Sequence, residues 1–126
     1  FEDAAKLPLI VPGRPNVTRS AIDRAFAAAG LVPEIVAEAD VLSGILSAVR
    51  TGIGAAILPK GDMSGVSVDD MAEPLLIEPP LFLRASIVSS GDFPLTPAGE
   101  AVRKLLFGFV ENRLRGMDEP GANWIG

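Results

Sequence analysis

The chain contains no cysteine, no histidine and no tyrosine. Without cysteine there is no disulfide framework and no thiolate metal site, a pattern that suits a reducing compartment and a cytoplasmic location. Losing all three types also removes the usual general base, the thiolate nucleophile and the phenolic acid. A Ser-His-Asp triad and the Cys and His zinc sites are excluded. Basic charge is scarce as well. Eleven Lys and Arg stand against 16 Asp and Glu, for a net charge of −5. Nucleic-acid surfaces need a clustered basic face to neutralise phosphates; here the basic residues are scattered among acids. No apolar run approaches the roughly 20 residues that span a bilayer. No secretory leader pattern is visible, so no membrane partner is expected. The first residue is Phe1 rather than Met, and the chain is expected to be a piece of a longer protein.

The composition that remains is that of a folded domain. Apolar residues make up 48% and charged residues 21% of the 126 positions, close to the globular average. That length suffices for one domain with a real core, or for one lobe and part of another.

Local patterns then give the element order. Leu7 to Pro12 is a short apolar run bounded by Pro12, Gly13 and Pro15, and it reads as a buried strand. Asn16 is a good N-cap for a helix from Val17 to Ala29. Ile22, Phe26 and Ala29 share its apolar face, with Ala21 and Ala25 beside them; Arg19, Asp23 and Arg24 fall elsewhere. Gly30 supplies a left-handed stop. The pattern repeats with a strand at Glu34–Glu38, an N-cap at Asp40 and a helix carrying Leu42, Ile45, Leu46 and Val49, ended by Gly52. Gly44 within that helix reads equally well as a close backbone approach or as a tolerated defect. Gly54–Pro59 reads as a third strand. Strand–helix–strand–helix–strand predicts a parallel sheet with right-handed crossovers.

Residues 60–73 read as a polar loop with a short turn at Val68–Met71. Two further strands are expected at Pro74–Ile77 and Phe82–Val88, separated by Pro79-Pro80. Thr96 and Pro97 open a last helix reaching Leu114, with an apolar stripe of Ala98, Ala101, Val102, Leu105, Phe109 and Val110. A polar tail follows, with Trp124 near its end.

Candidate chemistry is sparse. Glu38 and Asp40 lie two apart at a strand end, where a carboxylate pair or an oxygen-ligand cation site is conceivable; an N-cap beside a surface acid is the stronger reading. Gly52-Ile53-Gly54 follows a helix and precedes a strand, the reverse of a dinucleotide fingerprint. Open parallel sheets hold ligands outside the carboxyl ends of their strands. Three such ends are available: Val11 to Asn16, Glu38 to Val41, and Leu58 to Lys60. The candidate site residues are therefore Val11, Pro12, Arg14, Asn16, Glu38, Asp40, Val41 and Pro59. Two of the ends lead into helix N-termini, whose N–H groups suit an anion or a carbonyl, and Arg14 is placed to clamp a carboxylate. Arg14 reads equally well as an exposed turn residue, and Asn16 and Thr18 as caps.

Leu7 to Asn16, followed by Arg19 to Gly30, resembles the hinge strand and first distal-lobe helix of LysR-type transcriptional regulators. The more specific likeness is Val36 to Asp40 leading into Leu46-Ser47-Ala48-Val49-Arg50-Thr51-Gly52-Ile53-Gly54-Ala55-Ala56-Ile57-Leu58-Pro59. Pro80 to Arg84 and Pro94 to Val102 resemble the return strands and C-terminal helix. The likeness spans residues 5–114, and its wording is similar to the nitrogen-assimilation regulators.

The resemblance implies an α/β fold, a periplasmic-binding-protein-like lobe with a mainly parallel sheet flanked by helices, plus the C-terminal part of a second lobe. It implies residues 1–12 as the proximal-lobe end and hinge strand, 13–80 as the distal effector lobe, 81–115 as the return strand and helix, and 116–126 as a tail. It implies a small-molecule effector bound between two lobes, a homo-oligomer, and contact with DNA only through an N-terminal domain absent from these residues. Val11, Pro12, Arg14, Glu38, Asp40 and Val41 correspond to the distal wall of the effector pocket. Several family members carry Ser or Thr on these strand ends. Val11, Pro12, Ala37 and Ala39 stand there in this chain, which favours a smaller or less polar effector. With neighbouring strands missing, exposed edges and an exposed last helix imply a covering second chain. A fragment of a periplasmic-type solute-binding protein, which shares the two-lobed fold, is the alternative; an enzyme subdomain is a third reading, disfavoured by the missing His and Cys, so the chain is not expected to be an enzyme or to hold a cofactor or metal.

Overall fold

The structure, a computed structural model, describes residues 1–63 and 74–116. It divides into two compact units, Phe1–Arg84 and Ala85–Gly126. The first holds a three-stranded parallel sheet of β1 (Pro8–Val11), β2 (Glu34–Glu38) and β3 (Ala55–Ala56). Helices α1 (Val17–Ala28) and α2 (Leu42–Arg50) connect them. The strand order is β2-β1-β3, so α1 joins neighbouring strands while α2 carries the chain past the central β1 from one edge to the other, and both pairings are parallel. The fold is α/β, a parallel sheet with connecting helices, in line with the alternation of strands and helices along the chain.

Residue character explains the centre. Leu9, Ile10 and Val11 are buried on both faces of β1, as a middle strand covered by helices must be. Leu9 and Val11 meet Ile22 and Phe26 of α1, with Leu31, Ala55 and Ile57 packed around them. Phe1 sets its ring edge-on to Phe26, centroids 5.3 Å apart. Ala21 is buried too, whereas Ala29 is exposed at the helix end. β2 is an edge strand with Ile35 and Val36 exposed.

The two helices share one architecture at their C-termini. Gly30 and Gly52 both adopt positive φ, 68° and 75°. After α1, Leu31 N–H donates to Phe26 O and Gly30 N–H to Ala27 O. After α2, Ile53 N–H donates to Ala48 O and Gly52 N–H to Val49 O. Each is a Schellman closure, in which a left-handed glycine lets the next amides satisfy the last carbonyls. At the other end of α1, Asn16 Oδ1 accepts from Thr18 N and Arg19 N at 2.8 and 3.2 Å.

Some expectations are corrected. Asp40 does not cap α2; Val41 holds that position without a side-chain bond, because the Asp40 carboxylate is engaged by Gly13 N at 3.0 Å. Gly44 has no close backbone neighbour: an added Cβ would stand 3.4 Å from Val41 Cγ2 and 3.8 Å from the Ala39 Cβ. The third strand is only Ala55–Ala56, paired with Leu9 and Ile10. Gly54 before it is the close approach, since a Cβ there would lie 2.4 Å from Pro8 O. Neither Pro74–Ile77 nor Phe82–Val88 forms a strand. Their β-forming side chains are not enough, because a strand exists only against a ladder partner, and no neighbouring strand reaches them among the described residues. Of the polar loop, Lys60–Met63 forms a short 3₁₀ turn. The turn at Val68–Met71 and Trp124 lie outside the described residues.

The second unit contains α3 (Pro97–Gly116). Thr96 Oγ1 accepts from Gly99 N at 3.1 Å, satisfying one orphan donor of the first turn. The apolar stripe is there, with Val102, Leu105 and Phe109 all exposed. No helix among the described residues is long and apolar enough to cross a membrane.

Candidate functional site

All three strand ends converge on one cavity of about 150 Å³. Pro12 follows β1, Asn16 and Thr18 open α1, Asp40 follows β2, Leu42 and Ile45 belong to α2, and Leu58 and Pro59 follow β3; together they line it. Four of the eight nominated residues, Pro12, Asn16, Asp40 and Pro59, are thus brought together. The other four are elsewhere. Val11 is fully buried in the core and Val41 is an exposed cap position. Glu38 is held by Arg19. Arg14, 69% exposed, turns to Asp23, donating from Nε and NH2 to Oδ2 at 3.1 and 2.6 Å.

Two polar links hold the wall in shape. Gly13 N–H donates to Asp40 Oδ1 and so pins the loop after β1 to the loop after β2. A Cβ at position 13 would stand 2.9 Å from that same oxygen, so glycine allows the close approach. The second link is Arg19, whose burial sequence reasoning missed. Its side chain is only 5% exposed, although charged residues are rarely buried without partners. NH1 donates to Pro12 O at 2.9 Å and to Glu38 Oε1 at 2.6 Å, and Nε donates to Asp23 Oδ1 at 2.9 Å. One guanidinium thereby joins the ends of β1 and β2 to the body of α1. The sheet register makes this possible. It steps by one residue between Leu9 and Ile10, skips Val36 and sets Glu38 beside Val11. The one available signal in the sequence was Arg19 and Asp23 at i,i+4 spacing, which also reads as an ordinary surface pair.

Glu38 and Asp40 do not act as a carboxylate pair. One binds a guanidinium and the other a backbone amide. The anion reading of α1 also weakens, because Asn16 already occupies the amides of Thr18 and Arg19.

Electrostatics follow from the same contacts. Burial disfavours the charged form of Asp23, but hydrogen bonds from Arg14 and Arg19 outweigh it and hold the carboxyl below its ordinary 3.8. A lowered folded-state pKa contributes stability that is present above 3.8 and is lost as the pH falls through the folded value. Asp23→Asn should therefore flatten the loss of stability of residues 1–84 on the acid side. Denaturant titrations on both sides of 3.8 check this; an unchanged acid slope would show that Asp23 carries none of it.

No curated protein matches the chain. The family model for the LysR substrate binding domain matches residues 1–108, which includes the whole sheet, both crossover helices and every residue lining the cavity. The chain accordingly belongs to the LysR substrate-binding domain family, the effector-sensing part of LysR-type transcription regulators.

Proposed function

We propose that the chain binds a small-molecule effector at the cavity between its strand ends, and that binding alters the oligomer geometry and DNA binding of a LysR-type regulator. The observation that carries the reading is the meeting of Pro12, Asn16, Asp40 and Pro59 around one opening at the carboxyl ends of three parallel strands. Ligands of open parallel sheets sit there. The cavity combines apolar lining from Pro12, Leu42, Ile45, Leu58 and Pro59 with the polar groups of Asn16, Thr18 and Asp40, which converge on it and can orient a small molecule. The remaining nominated residues act at one remove: Glu38 through Arg19, Arg14 through Asp23, and Val11 and Val41 by shaping the wall. DNA contact belongs to a separate N-terminal region, since this chain is acidic overall. A homo-oligomer is part of the proposal, supported by the exposed Val102, Leu105 and Phe109 on α3. The likeness to the nitrogen-assimilation regulators is its narrower form.

The mechanism is a population shift. An effector biases two arrangements only by its difference in affinity for them. Coupling is reciprocal, so the effector should bind the DNA-associated regulator and the free regulator with affinities differing about 5-fold or more. Calorimetric titration of both forms checks this. Equal affinities would reject effector sensing and favour a solute-binding role.

A further inference from the structure

Resting on that reading, the geometry points to an effector that presents a positively charged, hydrogen-bond-donating group, a primary or secondary ammonium, to Asp40, with an apolar portion against Leu42, Ile45 and Leu58.

The argument is an inventory of charge around the cavity. Four charged side chains below the strand ends cancel in pairs. Arg14 and Arg19 both bind Asp23, and Arg19 also binds Glu38. Neither arginine lines the cavity. Asp40 does line it, and among the described residues no Lys or Arg pairs with it. Its Oδ1 accepts from Gly13 N, and Oδ2 has no partner there. The cavity therefore carries one uncompensated negative charge with a spare acceptor.

The other polar lining groups do not reverse this. Asn16 Oδ1 is spent on the amides of Thr18 and Arg19. The Thr18 hydroxyl can accept as readily as it donates. The N-terminus of α2 has no side-chain cap, but an anion placed there would sit beside Asp40. Like charges at contact distance oppose binding. A cation at the same place is attracted by Asp40, and the net charge of −5 steers it inward. Leu42, Ile45, Leu58, Pro12 and Pro59 supply the apolar lining.

The test titrates the chain with n-butylammonium, butyrate and n-butanol at one ionic strength. Binding is followed by the amide resonances of Gly13, Thr18, Asp40 and Leu42. The ammonium should bind at least about 5-fold more tightly than either of the others, about 1 kcal/mol by RT ln 5. Asp40→Asn keeps an oxygen for Gly13 N while removing the charge and replacing the spare acceptor by an NH2 donor, and it should abolish that preference. Arg24→Ala, on the exposed side of α1 and outside the cavity lining, should leave it intact. Tighter binding of butyrate or butanol, or an Asp40→Asn variant with unaltered preference, overturns the inference while leaving an effector cavity standing. No response of these amides to any of the three overturns the inference and the cavity reading together.

Discussion

Phe26→Ala should destabilise residues 1–84 by about 3–5 kcal/mol, the cost typical of emptying a buried aromatic site. Phe26 is the largest fully buried side chain among the described residues. It sits where α1 meets the sheet, against Leu9, Val11 and Ile22. It is also the residue whose carbonyl accepts Leu31 N in the helix stop, and Leu31 packs against the same cluster. Truncation thus leaves a void beneath the central strand that few neighbours can fill. Amide exchange of Leu9, Ile10 and Val11 reads the loss directly, because these strand amides open only with the sheet. Phe82→Ala serves as the comparison. Phe82 is exposed, and its loss should stay within about 0.5 kcal/mol. Equal effects of the two substitutions would show that the core is not where the packing places it.

Arg19→Met should cost about 2–3 kcal/mol. Removing one partner of a buried ion pair typically costs about 3–5 kcal/mol, because the other partner is left uncompensated. Here the penalty is smaller, since Glu38 is 54% exposed and can return to water. Asp23 keeps Arg14. Pro12 O is the atom with least recourse, as Arg19 NH1 is its donor in a buried setting. Methionine retains most of the length and apolar packing of the side chain, so the loss reports charge and hydrogen bonding. The effect should also be local: amide exchange at Gly13 and Ala39 should rise more than at Ile22, because the guanidinium joins the two strand ends. Arg24→Met, on the exposed side of α1, should change neither. A uniform rise across residues 1–84 would mean that Arg19 stabilises the lobe without holding the wall.

The functional consequence connects the two predictions. Phe26 fixes the height of α1 on the sheet, and Arg19, two turns earlier on that helix, fixes the strand ends that border the cavity. A ligand wall made of loop residues needs such rigid support, since displacements of an ångström at the wall change every contact with the ligand.

Much of the lobe was legible in the chain itself because its signals are short-range. Asn16 caps within three residues of itself. Gly30 and Gly52 stop their helices through bonds spanning one turn. The apolar run at Leu9–Val11 announces a strand covered on both faces. Convergence of three strand ends on one edge also follows from parallel order alone; Pro12, Asn16, Asp40 and Pro59 line one cavity there, whereas Val11, Arg14, Glu38 and Val41, named on the same argument, do not. Tertiary structure decided everything that depends on a distant partner. Arg19 is buried because Pro12 and Glu38, 7 and 19 residues away, converge on it. Asp40 serves Gly13, 27 positions back, instead of capping its own helix. Phe82–Val88 has strand-forming residues but, among the described residues, no ladder to join. Propensity and capping are properties of a few consecutive residues, whereas pairing and the burial of charge depend on which remote atoms the fold brings within a hydrogen bond.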